Sequence, residues 1–313
     1  SERKGCCNER EACKEKRIRT NKRHQAGCLF LSTRTMKKPI GIVLTDTHLE
    51  RDNVEQQIAI YTQAIDLADE LGLDEVWHDG DIFEARKSQA LTVLSAFLTI
   101  LELFRERKKT LRAIPGNHDK VDYDSEASYL DVYKHHPNFI PHSRQTTVRC
   151  EGVAIHWLPY FLESGSYMSR LQSIETDKKL KNVLLTHIAV SGVRNNDGSV
   201  VDNDLDRKIF KRFDSVLVGH YHDRSAIHNV QYIGAAMQKN FGENDLKGFT
   251  VIHSDGSNEF HRAEFTEFIT IKIDVETASD VEIEELLATW SCTSDRVRFK
   301  FQGEKSKLMG VDK

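Results

Sequence analysis

Short apolar runs alternate with longer amphipathic stretches along most of the chain. Residues 40–44, 75–77, 111–114, 183–186, 216–218 and 249–253 read as short strands. Two helical patterns separate the first three. Ile58, Tyr61, Ile65, Ala68 and Leu71 recur at helical spacing before a Leu71-Gly72 stop, and Leu91, Leu94, Leu98 and Leu101 mark a second apolar stripe. Strands alternating with helices predict a layered α/β domain. Near Ala263 the pattern changes. Residues 268–274 alternate with period two, a short helix is expected at 281–287, and residues 297–301 alternate again. This predicts a small β-α-β unit over 264–313 after a main domain over 37–263.

Polar motifs sit at the ends of five of these strands. Asp46-Thr47-His48 follows the first, Gly80-Asp81 the second and Gly116-Asn117-His118-Asp119 the third. Thr186-His187 closes the fourth, and Gly219-His220-Tyr221-His222 follows the fifth. In open α/β sheets the chemistry sits beyond the carboxyl ends of the strands, where loops converge. Taken alone, a helix cap is an alternative for Asp46 and a buried structural histidine an alternative for His220. Taken together, the motifs offer seven oxygen or nitrogen ligands, enough for two metal ions side by side. Carboxylate, imidazole and amide donors suit Mn²⁺, Fe²⁺ or Zn²⁺ better than Ca²⁺. The lack of cysteine among them argues against a structural zinc site. Two ions bridged by one carboxylate lower the pKa of a water and offset phosphate charge, which is what phosphate-ester hydrolysis requires. His78, His135, His136 and His142 match no motif and read as core or surface residues.

Composition adds bounds. The chain has 313 residues, 39% of them hydrophobic and 29% charged, as expected of a soluble globular protein. Nothing approaches eighteen consecutive apolar residues, so no membrane span is expected. The net charge of −4 is uneven: residues 1–36 hold ten Lys or Arg and four Glu, a net of +6, which leaves −10 for the remainder. Overall charge therefore gives no support for nucleic-acid binding, although bound metal would neutralise several carboxylates. Cys6, Cys7, Cys13 and Cys28 crowd the same first segment, and only Cys150 and Cys292 follow. The body has no disulfide framework, which suits a reducing cytoplasm. The early cysteines match no C-x-x-C zinc spacing. Residues 1–36 carry little apolar periodicity and no long apolar core of a signal peptide. They read as a disordered or non-native leader before Met36, with a basic DNA-binding arm as the alternative.

The motif set resembles the calcineurin-like metallophosphoesterase superfamily over about residues 40–253. By position, that resemblance assigns Asp46, His48 and His222 to one metal and Asn117, His187 and His220 to a second, with Asp81 bridging. It implies a β-sandwich flanked by helices. It places His118 at the leaving oxygen as general acid, oriented by Asp119; beside a neutral Asn ligand, that imidazole is indeed free to move protons.

Finer features narrow the resemblance. The run from Trp77 through Gly80-Asp81-Ile82-Phe83-Glu84-Ala85-Arg86-Lys87 is similar to SbcD-type repair nucleases, especially the recombination nuclease subunits of T-even-like phages. So are Tyr232-Ile233-Gly234-Ala235-Ala236 and the run from Gly242-Glu243 to Lys247-Gly248-Phe249. Those nucleases carry a small capping domain where the β-α-β unit is expected. The resemblance implies a manganese-dependent DNA exo- and endonuclease of repair or recombination, with Fe²⁺, Zn²⁺ or Mg²⁺ as other metals. It implies an SbcC-type coiled-coil ATPase partner, a homodimer, no membrane, and a bacterial or phage-infected cytoplasm. Glu84 stands where the family has Asp or His, and Ala235-Ala236 replaces Ser/Thr-Pro. Arg86 and Lys87 are expected either to touch DNA phosphates or to form a solvated helix start. A stand-alone phosphatase or cyclic-nucleotide phosphodiesterase and a non-catalytic repair scaffold are the alternatives.

Overall fold

Strand β1 (Pro39–Leu44) sets the layering. Its register against β11 (Gly248–His253) shifts between Pro39 and Gly41, which inserts one residue. Ile40 and Val43 therefore pack into one apolar layer, and Ile42 and Leu44 into another. The computed structural model describes residues 37–193, 199–203, 205–290 and 295–304. The expected leader 1–36 with its four cysteines, together with Cys292 and residues 305–313, lies outside the described residues.

Two six-stranded sheets follow from the apolar runs. One has the order β12 (Asn258–Arg262), β11, β1, β2 (Glu75–Asp79), β3 (Thr110–Ile114), β4 (Phe139–Pro141). The other has the order β5 (Thr146–Cys150), β6 (Val153–Leu158), β7 (Lys181–His187), β8 (Ser215–Gly219), β10 (Val230–Tyr232), β9 (Ser225–Ile227). Strands β1 to β4 run parallel, as do β6, β7, β8 and β10. Val43 and Trp77 of the first sheet share an apolar layer with Val153, Ile155, Trp157, Val183, Leu185 and Leu217 of the second. The Trp77 and Trp157 rings meet edge to face at 5.3 Å. Period-two alternation sends Leu184, Val216 and Val218 to the far side of the second sheet, beside the short helix α3 (Tyr167–Gln172).

Gly41 shows how tightly that layer is filled. A Cβ there would lie 2.4 Å from the Trp77 ring. Gly41→Ala is therefore expected to cost about 1–3 kcal/mol in urea unfolding, the usual penalty of overpacking. Trp77→Phe in the same chain should recover part of that loss if the clash is the cause.

Helix α1 (Val54–Leu71) and helix α2 (Leu91–Glu106) cover the other face of the first sheet. α1 buries Ile60, Tyr61, Ala64, Ile65 and Ala68, and stops at Gly72, whose φ of 67° favours a residue without Cβ. α2 departs from expectation. Leu91 and Leu98 are 79% and 45% exposed, and the buried stripe is Val93, Ala96, Phe97, Ile100, Leu101 and Phe104. The helix is apolar on more than one side, so leucine spacing alone does not select its inner face. The aromatic rings do: Phe97 packs edge to face on Phe83, Tyr133 and Phe139, and Phe104 on Tyr61.

The predicted β-α-β unit is present as β13 (Phe268–Asp274), α4 (Asp280–Trp290) and β14 (Arg296–Gln302), with the two strands parallel. Among the described residues no helix is long and apolar enough to cross a membrane. Strands β4, β5, β6, β9, β10 and β12 are additions to the sequence reading.

Candidate metal centre

The five motifs meet because β1, β2, β3, β7 and β8 point their carboxyl ends to one edge of the two sheets. Backbone pairing carries the first two strands past their ends: Asp46 N–H donates to the Gly80 carbonyl and His48 N–H to the Asp81 carbonyl, both at 3.0 Å. The turns beyond are strained. Asp46, His48, Asp81 and His220 have φ of 52°, 48°, 56° and 95°. Non-glycine residues in that region cost about 1–3 kcal/mol each, and such sites concentrate where function requires them. Small residues admit the crowding. A Cβ on Gly116 would lie 2.2 Å from Asp81 Oδ1, and one on Gly219 would lie 2.6 Å from His187 Nδ1.

Two triads result, Asp46/His48/His222 and Asp81/His187/His220, each with ligand atoms within 4.8 Å of one another. Asp81 Oδ2 lies 3.2 Å from His187 Nε2 and 3.8 Å from His48 Nε2, between the two groups. Its Oδ1 accepts the His118 N–H at 2.8 Å, which fixes the carboxylate. Asn117 Oδ1 is 2.9 Å from His220 Nδ1, and the His220 N–H donates to the Asp46 carboxylate at 3.0 Å. The structure thus brings together all seven expected ligands. A third grouping, His48/Asp81/His118, overlaps both.

The electrostatics fit cations. Burial pulls His48 down, but hydrogen bonds to Asp46 and Glu84 and the Asp81 charge outweigh it and lift the imidazole to about 9. Burial likewise opposes protonation of His187, and Asp81 and Asp46 lift it to about 10. The two carboxylates are themselves held low against burial, Asp46 by His48, His187 and His222, and Asp81 by His187, His48 and His118. A negative field strong enough to load protons onto buried imidazoles is one that divalent ions satisfy. His187 Nε2 is also buried and faces Asp81 Oδ2 at 3.2 Å, where an ion could sit between them. The donor set therefore fits two ions.

Supporting groups orient these side chains. His187 Nδ1 donates to the Asp79 carbonyl at 2.8 Å, which leaves Nε2 free to ligate. His222 Nδ1 lies 2.9 Å from Glu243 Oε1, and Glu243 in turn pairs with buried Lys247 at 3.0 Å. Both residues stand in the run from Gly242 to Phe249, but the spacing of that run gives no sign that they support His222. The Glu84 carboxylate reaches His48 Nδ1 at 2.9 Å and also pairs with Lys239. Burial raises its pKa, and those two partners outweigh that and hold it at about 2.

Two expectations change. Asp119 does not hold the His118 ring. Its buried carboxylate accepts the N–H groups of Gly116, Phe83 and Ile82 at 2.9, 3.0 and 3.2 Å and so ties two ligand loops together. With both oxygens taken up by these backbone N–H groups, the carboxylate is committed to the loops and not to the ring. The ring instead meets the Glu84 carbonyl at Nδ1 and Arg86 at Nε2. Arg86 and Lys87 lie in the loop before α2 rather than at its start; Arg86 reaches the centre, and Lys87 is exposed. Of the unassigned histidines, His78 is buried against Thr47 and Tyr61, and His135 is exposed.

The calcineurin-like phosphoesterase family matches residues 42–224, which include all five motifs. The chain is 28% identical over 217 residues to exonuclease subunit 1 of enterobacteria phage T4, covering 68% of this chain and 60% of that protein. It is 26% identical over 208 residues to the SbcD subunit of the nuclease SbcCD of Staphylococcus epidermidis, covering 55% and 53% respectively. The chain thus spans between half and two thirds of the length of these curated relatives. A solved structure from Thermus thermophilus covers 72% of this chain and 99% of its own, with 10% identity and a TM-score of 0.45. With the family match extending over more than half of its residues, the chain belongs to the calcineurin-like phosphoesterase family.

Proposed function

We propose that the protein is a dimetal DNA exo- and endonuclease that hydrolyses phosphodiester bonds in repair, recombination or phage replication. The observation that carries this reading is Asp81 Oδ2, set between His48 of one triad and His187 of the other at a common edge of strand ends. The names of the two relatives, an exonuclease subunit and a nuclease subunit, supply the substrate class.

Asp46, His48 and His222 would hold one ion and Asn117, His187 and His220 the other, with Asp81 shared; Mn²⁺ is the first choice. Bound ions would lower the pKa of a water and offset the phosphate charge. The protein groups do the rest. Glu84 and Glu243 fix the imidazoles of His48 and His222. Asp119 locks the loops that carry Asp81 and Asn117. His118 and Arg86 line the side where the leaving oxygen departs. Lys87 adds charge for a DNA backbone at the rim. An SbcC-type ATPase, a second copy of the chain and a cytoplasmic setting complete the proposal.

The test is Mn²⁺-dependent digestion of labelled single- and double-stranded DNA beside bis(p-nitrophenyl) phosphate. Loss of DNA label that stops with chelator is the expected result. Cleavage of the small ester alone would favour a stand-alone phosphodiesterase, and two bound metals without turnover would favour a scaffold.

A further inference from the structure

The loop after β2 grips His118 at both ring nitrogens. The Glu84 carbonyl lies 2.5 Å from Nδ1, and Arg86 Nη2 lies 2.7 Å from Nε2. A carbonyl only accepts and a guanidinium only donates. The two contacts together require a proton on Nδ1 and a lone pair on Nε2. Nε2 is also the nitrogen on the ligand side, 4.0 Å from Asp81 Oδ2. The ring nitrogen on this side therefore carries no hydrogen of its own, and the side-chain hydrogen at that contact belongs to Arg86. The loop is anchored for the purpose, since the Tyr129 hydroxyl donates to the Arg86 carbonyl at 3.1 Å. Among the described residues no carboxylate pairs with the guanidinium, which leaves its remaining donors for a substrate.

We infer that Arg86 is a catalytic residue whose guanidinium stabilises the oxygen leaving phosphorus, and that His118 is the positioning residue that aims it. The inference rests on the phosphodiesterase reading above. In the step, a water oxygen bonds to phosphorus and gives up a proton to solvent. The bond from phosphorus to the leaving ester oxygen breaks, and its electron pair stays on that oxygen. Arg86 meets the developing charge with charge-assisted hydrogen bonds. A guanidinium does not deprotonate in proteins, so the leaving oxygen takes its proton from solvent water. This differs from a general acid at His118 in who carries the charge and in how the two residues depend on each other.

The experiment uses the full chain loaded with Mn²⁺ and aryl esters of thymidine 5′-monophosphate, with leaving groups graded from nitrophenol to phenol. Arg86→Ala should lower kcat on the phenyl ester roughly 10²-fold, the scale of losing one charge-stabilising donor. KM should change little, and the loss should shrink on the nitrophenyl ester. Arg86→Lys should recover part of the loss. His118→Ala should behave alike, and the double variant should be no slower than either single, because the pair acts as one unit. A second readout is independent of turnover. On the chain loaded with diamagnetic Mg²⁺ in place of Mn²⁺, the ¹⁵N shifts of the His118 ring, assigned by their loss in His118→Ala, should report an Nδ1–H tautomer that Arg86→Ala releases. Losses that multiply in the double variant would overturn the inference and make His118 an independent proton donor. So would a raised KM at unchanged kcat, which would reduce Arg86 to a ground-state phosphate contact. Ring shifts untouched by Arg86→Ala would sink the inference alone. A wild-type chain that binds two metals yet cleaves no ester and no DNA would sink the phosphodiesterase reading beneath it.

Discussion

Asp81→Asn is expected to abolish metal-dependent hydrolysis, by at least ~10³-fold or about 4 kcal/mol of barrier. The expectation follows from position. One carboxylate oxygen faces His48 and His187, and the other is held by the His118 N–H. In the proposed arrangement, removing its charge takes a ligand from both metal ions at once, whereas loss of His48 or His187 takes one from a single ion. Asn is the better probe than Ala because the backbone at position 81 has φ of 56°, which Asn tolerates and Ala does not. A fold defect is thereby separated from a ligand defect. Calorimetric titration with Mn²⁺ should show both sites weakened together. If Asp81→Asn bound two ions with unchanged affinity, the shared-ligand assignment would be wrong.

The side chains that gather at the centre were legible in the sequence because each stands within a few residues of a strand end, and a strand end is a local signal. Asp46 follows Leu44, Asp81 follows Asp79, and His187 closes β7. What holds the ligands was not legible, because it comes from afar. Glu243 reaches His222 across 21 positions, and Glu84 reaches His48 across 36. Asp119 misled for a related reason. Adjacency to His118 suggested a partnership, but the backbone turn sends the carboxylate toward Ile82 and Phe83. The interior face of α2 failed differently: its apolar residues lie on more than one side, and it is the neighbouring rings of Tyr61, Phe83, Tyr133 and Phe139 that mark which of them turn inward. β6 was missed although all six of its residues are buried. Its His156 breaks the apolar run in the sequence, and in the structure it bonds to Asn182 and Thr147.

Lys247→Met should test the support of the centre rather than the centre itself. Lys247 has a fully buried side chain, and its ammonium donates to the His222 carbonyl at 2.6 Å and to Asp223 and Glu243 at 2.9 and 3.0 Å. Met keeps the apolar stem and removes the charge. Glu243, with a side chain only 3% exposed, is then left without its cation. Breaking a buried pair from one side costs about 3–5 kcal/mol, so the urea midpoint of the metal-free protein should fall sharply. Burial already pushes the Glu243 carboxyl up, and the His222 bond together with the Lys247 charge is what brings it below the ordinary range. Without Lys247, a Glu243 that takes up a proton no longer fixes the Nδ1–H tautomer of His222. The Asp46/His48/His222 site should then lose about 10–100-fold in Mn²⁺ affinity, the usual consequence of losing a ligand's supporting partner. Adding Glu243→Gln removes the stranded charge and keeps an acceptor oxygen for Nδ1–H. The double variant should therefore regain most of the stability and part of the affinity. Unfolding at the wild-type midpoint, with both sites at wild-type affinity, would mean that the Lys247–Glu243 pair contributes nothing to holding His222.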